Sequence, residues 1–529
     1  MLFWLVLSGC SGGDGATTPK DLQPSPTGET GGGEITGDTG VINAGPSFTV
    51  TPSCADNLDG AMFACWLTTS TSEPTTLSIS IDDGAKVRVQ QVETAAMDHE
   101  VLVLGLRPDA ANVMTLTATG ASGSTVADPI TYHTDPLPVD FPVHEVISDP
   151  GRMEPGLTLI RLGPYIAMFD DVGEVRWLMF NTDTVHTLSI TSDGHLMHQN
   201  GKVGLTVRTL SGAVVSEWCA ERTGVCPKTS VLVDVESIHH DAYEMPNGNW
   251  LSLSIERRLI PDYPTSERDP LAPRAEAWVA GDVVVEFTPA GEVVHSWPLL
   301  DILDPTRIAN DAIRGDYWEG FFGGQDTKDW SHANAIWYDE ARDEVVVSLR
   351  HQDAVIGLDH ATGDLSWIFA PEANWQPPWD GYLLRPADPG LLVTYHQHAA
   401  SINDAGRLML FDNGNNRASA YEPELNDANN GSRGAEFTLD HGSKTWDLSW
   451  DYGPTLSPLI FSGSLGDTDA LPQTDNVLVT FGNIANDNYP GVMVFEVERD
   501  TLDVVFELRV TQPVTTFRSQ RITGVIPGF

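Results

Sequence analysis

Apolar and polar positions alternate over short stretches along most of the chain, and no helical apolar period is sustained. From 46 to 136, segments such as Thr75–Ile81, Glu100–Leu104 and Asn112–Ala118 alternate or run apolar over strand lengths. Gly, Asp, Asn and Pro lie between them, as expected for turns between strands. This region predicts a small β-sandwich of immunoglobulin or fibronectin type, with Asp135–Val139 as the linker that follows it.

A loose repeat fills residues 137–529: an apolar strand, a Gly or Asp turn, and a strand that ends in an aromatic residue. The aromatic ends are Trp177, Trp218, Trp297, Trp367, Trp450 and Phe506. Six copies predict a six-bladed β-propeller, because a four-stranded blade needs about 40 to 60 residues. Separate sandwiches are the alternative, but the copies resemble one another and no second linker of tether composition separates them. The predicted fold class is therefore all-β, with a small β-sandwich followed by a propeller that carries the chemistry.

The N-terminal residues carry an export pattern. Apolar residues Leu2–Leu7 lead into Ser8-Gly9-Cys10, and this run is shorter than the about 20 apolar residues that a membrane-spanning helix needs. Residues 1–10 therefore predict the end of a secretory signal with a lipoprotein box, lipidated at Cys10. An ordinary apolar N-terminus is the alternative. Residues 11–45, rich in Gly, Thr and Ser, predict a disordered tether.

These features predict an exported protein that is held at the membrane only by a lipid, in the periplasm or at the cell surface. Ser11 rather than Asp follows Cys10, which favours the outer membrane. The formal net charge of −45 argues against a nucleic-acid partner, because phosphate binding needs a basic footprint.

The other four cysteines form two close pairs, Cys54 with Cys65 and Cys219 with Cys226. In an oxidising compartment each pair predicts a short-loop disulfide. Free buried thiols are the alternative. A metal site is disfavoured, since neither pair has C-x-x-C spacing.

Polar windows recur beside strand or turn signals, where the inner strands of a propeller would converge on its central channel. They are His239–Asp241, Asp329–Asn334 with Arg350–Gln352, Tyr395–His398 with Phe411–Arg417, and Ser432–Phe437.

These windows resemble those of the bacterial arylsulfate sulfotransferases, which use no activated-nucleotide sulfate donor. The matching stretches are HHDAYEMPNGNW, DWSHANAIWYDEARDEVVVSLRHQ, YHQHA with LMLFDNGNNR, and SRGAEFTLDHGSKTWDLSWDYG, in the family's order between about 230 and 455. The resemblance implies an exported six-bladed propeller with a small N-terminal β domain, and a homodimer is a family-level expectation. The segment 301–329 matches poorly.

By the same resemblance, the catalytic residues are His240, His332, Arg350 and His398. His398 would be the nucleophile. Secondary candidates are His239, which competes with His240 for its role, Asn334 and Arg433. We interpret His351 and His396 as structural neighbours.

The resemblance implies transfer of a sulfuryl group from a phenolic sulfate ester to a phenolic acceptor, by a ping-pong mechanism through a sulfohistidine and without 3'-phosphoadenylyl sulfate. A neutral imidazole is a competent nucleophile near neutral pH, and an arginine fork can hold two sulfonyl oxygens. This chemistry needs no cofactor or metal.

Three alternatives stay open at this point. Histidines from different strands would suit zinc or copper, although a neighbouring Arg would oppose a divalent ion. The run 412–416 could form a calcium loop, but it lacks the closing Glu and favours a turn. The protein could also be a non-catalytic cell-surface propeller that binds aromatic or carbohydrate ligands.

Overall fold

Strands dominate the described part of the chain, which confirms the predicted all-β class. The computed structural model describes residues 45–56, 58–183, 186–425, 430–484 and 491–529. The predicted signal segment with Cys10, and the predicted tether up to residue 44, lie outside the described residues. Within those ranges, no helix has the length and apolar character needed to cross a membrane.

Seven strands precede residue 134: β1 (Phe48–Ala55), β2 (Ala61–Met62), β3 (Cys65–Asp82), β4 (Val87–Val103), β5 (Ala111–Gly120), β6 (Gly123–Val126) and β7 (Ile130–His133). Six of them form one hydrogen-bonded sheet in the order β1-β3-β5-β6, with β4 also paired to β3 and β7 to β5. Buried positions alternate along β3. Its buried side chains Leu67 and Ile79 belong to one apolar cluster with Ile160 and Val494 of the C-terminal region. The sheet therefore packs against the propeller, and a two-layer sandwich in this region stays a prediction.

The C-terminal region begins with β8 to β20. They are β8 (His144–Ser148), β9 (Leu157–Leu162), β10 (Tyr165–Phe169), β11 (Val175–Phe180), β12 (Leu188–Ile190), β13 (Leu196–Asn200), β14 (Gly204–Arg208), β15 (Val214–Ala220), β16 (Val231–Val233), β17 (His239–Glu244), β18 (Trp250–Tyr263), β19 (Ala275–Phe287) and β20 (Val293–Pro298).

It continues with β21 to β35. They are β21 (Lys328–Asp329), β22 (Ala333–Asp339), β23 (Glu344–Leu349), β24 (Ala354–Asp359), β25 (Leu365–Phe369), β26 (Arg385–Pro386), β27 (His398–Ile402), β28 (Leu408–Asp412), β29 (Arg433–Asp440), β30 (Thr445–Tyr452), β31 (Asp467–Ala470), β32 (Val477–Ile484), β33 (Gly491–Val497), β34 (Val504–Val510) and β35 (Ser519–Ile522).

These strands form six sheets, which are the six blades that the repeat predicts. From the channel outward, the four main strands of blades 1 to 6 are β35-β9-β10-β11, β12-β13-β14-β15, β17-β18-β19-β20, β22-β23-β24-β25, β27-β28-β29-β30 and β31-β32-β33-β34. The short strands β2, β16, β21 and β26 and the strand β8 add to five of these sheets.

The ring is closed by strands from both ends of the propeller. The last strand, β35, pairs with β9 and so completes blade 1 from the C-terminal side. The first, β8, pairs with β34 on the outside of blade 6. Because β2 also pairs with β11, the N-terminal region adds a two-residue strand to the outer edge of blade 1.

The aromatic repeat has a structural cause. Each of the six predicted aromatic ends lies on the outer main strand of a different blade: β11, β15, β20, β25, β30 and β34. Three of the indole N–H groups donate to a carbonyl in the outer turn of the next blade: Trp177 to Leu210 (2.8 Å), Trp218 to Pro289 (3.0 Å) and Trp450 to Arg499 (3.1 Å). The same contact thus recurs from blade to blade.

Helices are short and lie in the connections. They are α1 (Leu299–Ile302), α2 (Asp316–Glu319) and 3-10 turns at Glu221–Thr223, Arg350–Gln352 and Trp379–Tyr382. Helices α1 and α2 belong to the long connection between blades 3 and 4, and the Tyr317 ring on α2 lies 5.1 Å from that of His240 at the start of the inner strand β17. Both predicted disulfides, Cys54–Cys65 and Cys219–Cys226, are present.

Candidate active site

The predicted histidines converge at one mouth of the channel. His240 is the second residue of β17, His332 immediately precedes β22, and His398 begins β27, so neighbouring blades 3, 4 and 5 each contribute one. The ring centroids of His240 and His332 are 5.0 Å apart, and the Phe517 ring lies 6.3 Å from His240 and 6.0 Å from His398. Residues that are about 160 positions apart in the sequence therefore share one site.

Irregular backbone aims these side chains. Each of β17, β22 and β27 has a register shift within its first few residues, and such bulges redirect side chains at the ends of strands. His240, His332 and His396 have positive φ angles of 55°, 45° and 55°. A non-glycine residue in this region is strained, and such strain is concentrated at functional sites.

Arg350 reaches the same mouth from the turn between β23 and β24. Its Nη1 donates to Nε2 of His351 at 2.6 Å and lies 3.6 Å from Oδ2 of Asp311. Burial and, next, the Arg350 charge hold the pKa of both His332 and His398 well below the usual value. All four predicted catalytic side chains are thus coupled electrostatically in one site.

Hydrogen bonds fix the tautomer of His398. Nδ1 of His398 lies 2.6 Å from Oδ1 of Asn413, and Nδ2 of Asn413 donates to the carbonyls of Ser462 (2.7 Å) and Leu465 (2.8 Å). Because the amide nitrogen has two acceptors, the amide oxygen must face His398, whose Nδ1 therefore carries the proton. Nε2 keeps its lone pair and accepts only a long bond of 3.3 Å from the backbone N–H of Leu465.

His332 is held in the same tautomer by Asp329, whose Oδ2 lies 2.5 Å from Nδ1. His239 is completely buried, and its Nε2 lies 3.0 Å from the carbonyl oxygen of Ser254, so Nε2 carries the proton. Its Nδ1 then accepts from Nδ1 of His240 across 2.7 Å. His239 is therefore a positioning partner of His240, and all three site histidines keep a lone pair on Nε2.

The charge states follow from burial. Burial, followed by the neighbouring histidines, keeps the pKa of His240 well below its usual value. His396 differs: burial lowers its pKa, but the carboxylates of Asp353 at 3.0 Å and Asp311 at 3.5 Å outweigh burial, so the pKa is raised. The site thus consists of neutral imidazoles at the mouth, with the Arg350 guanidinium and His396, whose pKa is raised, beside them.

An aromatic wall comes from the connection between blades 3 and 4. The Tyr317 ring, on α2, lies 5.1 Å from His240 and 4.8 Å from His332. Lys202 places Nζ 3.5 Å above the Tyr317 ring, and burial lowers the pKa of this lysine to about 8, against the opposing charge of Asp329. The Tyr317 hydroxyl is buried and has no hydrogen-bond partner in the described part of the chain.

The other secondary candidates differ in position. Asn334 is buried and donates to the carbonyl of Gln397 at 2.8 Å, next to His398, while its Oδ1 has no hydrogen-bond partner among the described residues. Arg433 is instead engaged by Asp412 (3.0 Å), by Asp451 (2.9 Å) and by the Leu392 carbonyl (2.7 Å). Arg433 therefore stabilises the end of β28, next to Asn413, through Asp412 and does not face the histidines.

Several site residues had no assigned role in the sequence analysis. His351, interpreted there as structural, has its ring 4.5 Å from that of His332 and accepts from Arg350. Asp329 stands three residues before His332, so its spacing was a usable signal. Asn413 belongs to the run interpreted as a turn. Tyr317, Lys202 and Phe517 carry no pattern, and only the closed fold brings them to the site.

One group in the site has the composition of a metal centre. Ligand atoms of Asp329, His332 and His351 lie within 4.8 Å of one another. The Arg350 guanidinium, however, lies 2.6 Å from Nε2 of His351 and would oppose a divalent cation.

The channel continues behind the histidines as a cavity of about 250 Å³, lined among others by Asp241, Asp467, Asp469 and Arg518. Arg518 donates to Asp241 at 3.0 Å, and Asp241 directly follows His240 in the chain. Burial raises the pKa of Asp469 to about 6. The floor of the site is therefore polar and charged.

Comparisons with known proteins identify relatives of this chain. The chain is 31% identical over 341 residues to the arylsulfate sulfotransferase AssT of Escherichia coli O6:H1 (strain CFT073), covering 55% of this chain and 53% of the relative. It is 27% identical over 343 residues to AssT of Lelliottia amnigena, with the same two shares. The chain thus spans about half the length of the curated relatives it matches. A solved protein of unknown function from Bacteroides caccae aligns with a TM-score of 0.39 at 12% identity, over 70% of this chain and 99% of that one.

A family model described as arylsulfotransferase (ASST) matches residues 143–518. This range contains all four predicted catalytic residues and well over half of the chain. The resemblance inferred from the four sequence windows is confirmed, and the chain belongs to the arylsulfotransferase family.

Proposed function

We propose that this protein transfers a sulfuryl group from a phenolic sulfate ester to a phenolic acceptor, with His398 as the covalent carrier. The observation that carries the proposal is the state of His398: a buried, neutral imidazole whose Nδ1 proton is held by Asn413, whose Nε2 accepts only a long bond of 3.3 Å from the Leu465 N–H, and whose pKa is lowered by burial and by the Arg350 charge. A neutral imidazole nitrogen is a competent nucleophile. Membership of the arylsulfotransferase family supports the sulfuryl group as its target.

In the first half-reaction, Nε2 of His398 attacks the sulfur of the donor. The N–S bond forms, the bond between sulfur and the aryl oxygen breaks, and that oxygen leaves with the electron pair as a phenolate. Arg350 would stabilise the negative charge on the sulfonyl oxygens, because its guanidinium presents several donors in a fixed plane. The backbone N–H of Leu465 donates to Nε2 at 3.3 Å before the reaction, and once Nε2 bonds to sulfur this N–H would be released to donate to a sulfonyl oxygen.

In the second half-reaction, the acceptor phenol replaces the first product. Its hydroxyl proton passes to Nε2 of His332, which is free because Nδ1 is committed to Asp329. The phenolic oxygen attacks sulfur, the S–N bond breaks, and its electrons return to His398. His332 then releases its proton to solvent, which restores the neutral site and balances the phenolate that left in the first half-reaction. Nε2 of His240, whose Nδ1 is held by His239, also keeps its lone pair and would be a second acceptor for the hydroxyl proton of the incoming phenol. The donor is itself the activated sulfate, so 3'-phosphoadenylyl sulfate is not consumed.

Purified protein mixed with 4-nitrophenyl sulfate, with and without phenol, tests this proposal. We expect nitrophenolate release that depends on phenol, together with formation of phenyl sulfate. Release in water alone would indicate a sulfatase, and no release would indicate a binding protein; either result would contradict the proposal.

We further propose that the protein is exported and anchored by a lipid on Cys10. The two disulfides of the folded part support an oxidising compartment. Mass spectrometry of a native preparation should find a diacylglycerol on Cys10, and a mature chain that begins elsewhere would contradict the anchor.

A further inference from the structure

A second cluster of metal-ligand side chains lies away from the histidines of the mouth, between blades 3 and 4. Ligand atoms of Glu286, His295 and His360 all lie within 4.8 Å of one another. Glu286 on β19 and His295 on β20 are direct cross-strand partners in blade 3. His360 directly follows β24, so it comes from blade 4. Neither the family resemblance nor the proposed reaction uses these residues.

The spacing suits a small divalent ion. Oε2 of Glu286 lies 2.9 Å from Nε2 of His360 and 3.9 Å from Nε2 of His295. Ligands of tetrahedral zinc, bound at about 2.0 to 2.1 Å, stand about 3.4 Å from one another. The two observed distances bracket this value, so an ion needs shifts of about half an ångström.

The surrounding groups prepare the ligand atoms. Nδ1 of His360 lies 2.9 Å from Oδ1 of Asp343, an arrangement that leaves Nε2 as the ligand nitrogen. A ligating histidine usually donates its other N–H to such a carboxylate. Oε1 of Glu286 accepts from Nδ2 of Asn249 at 2.5 Å, which leaves Oε2 for the ion. The His295 ring is stacked on Trp297, with centroids 4.9 Å apart and planes 12° apart.

The three ligand side chains differ in how far they are exposed to solvent. The Glu286 side chain is 2% exposed and therefore fixed, whereas that of His295 is 33% exposed, so an ion can enter from solvent. His295 supplies a third ligand nitrogen, 3.9 Å from the same carboxylate oxygen. Two imidazoles and one carboxylate form a ligand set that zinc favours.

We propose that Glu286 Oε2, His295 Nε2 and His360 Nε2 bind one zinc ion, with water as the fourth ligand. The ion would join the outer strands of blade 3 to blade 4. Its role is structural and independent of the proposed sulfuryl transfer.

The test uses the full chain stripped with EDTA and titrated with zinc chloride by calorimetry, with the unfolding temperature followed in parallel. We expect one zinc ion to bind with micromolar or tighter affinity and to raise the unfolding temperature. His295→Gln, at the more exposed ligand, should weaken binding at least 100-fold while the stripped protein still folds. His351→Gln is the matched control, because it removes one histidine from the Asp329–His332–His351 group.

The outcomes separate cleanly. Loss of binding in His295→Gln with retention in His351→Gln supports the proposal. The reverse pattern would assign the ion to the channel mouth and overturn it. No binding at 100-fold excess zinc, or unchanged binding in His295→Gln, would leave Glu286 and His360 as a simple ion pair and would also overturn it.

Discussion

Replacement of Asn413 with Ala should slow the first half-reaction although Asn413 has no role in bond making. The substitution removes the oxygen that accepts from Nδ1 of His398 at 2.6 Å, in a site where His398 is 2% exposed. The Nδ1 proton is left without a partner, and the imidazole becomes free to move that proton to Nε2. Attack on sulfur requires the lone pair on Nε2, so only the tautomer that Asn413 stabilises can react.

The size of the effect follows from the cost of a buried, unpaired donor, about 1 to 3 kcal/mol. That range corresponds to a rate lower by a factor of about 5 to 160. The assay is the burst of nitrophenolate on rapid mixing of enzyme with 4-nitrophenyl sulfate without acceptor. The burst rate should fall within this range, while the burst amplitude per folded protein is retained.

Asn413 also donates to the carbonyls of Ser462 and Leu465, so Ala releases that loop as well. Asn413→Asp separates the two effects. A carboxylate keeps the acceptor for His398 but loses both donors to the loop. If the tautomer controls the rate, Asp should retain more of the burst rate than Ala. A wild-type rate in Asn413→Ala, or an equal loss in both variants, would refute the reasoning.

Three further predictions rest on the same geometry. Burial and Arg350 keep the pKa of His398 well below its usual value, so kcat/KM should stay level between pH 8 and 6, and a fall with a midpoint near 6.5 would contradict this. The buried site histidines have a lowered pKa in the folded protein, so they take up protons near pH 6.5 only when the chain unfolds. Each should therefore lower the free energy of unfolding by about 1.4 kcal/mol at pH 5.5, as measured by urea denaturation. A free energy of unfolding that does not decline from pH 7.5 to 5.5 would contradict neutral histidines. Tyr317→Phe should leave KM for phenols within about twofold because the hydroxyl has no partner among the described residues, whereas Tyr317→Ala should raise KM about tenfold through loss of the aromatic wall; equal KM values in the two variants would remove Tyr317 from the aryl site.

The propeller could be predicted because its defining contact is local and repeats. An aromatic residue lies on the outer main strand of every blade, and three of these residues, Trp177 and Trp218 among them, donate the same hydrogen bond to a turn of the next blade. A repeated contact leaves a repeated residue type in the sequence. The pairing of β2 with blade 1 could not be predicted in this way, because a strand of two residues is too short to show a repeating pattern of apolar and polar positions.

The histidines that meet at the channel mouth could also be predicted, because they stand at strand starts within windows typical of the family. The residues that set their states could not. Asn413 fixes the tautomer of His398 only because Ser462 and Leu465 occupy its amide nitrogen, which depends on the closed ring of blades. The sequence also did not show that both of the adjacent residues Arg350 and His351 reach the site, as their side chains do in the structure.

The central claim, that His398 carries the sulfuryl group, is tested most directly by mass spectrometry after brief mixing with 4-nitrophenyl sulfate alone. The account predicts a sulfo adduct on the peptide that contains His398, absent in His398→Asn and discharged when phenol is added. An adduct on His240, His332 or another residue, or full transferase activity in a folded His398→Asn variant, would contradict it.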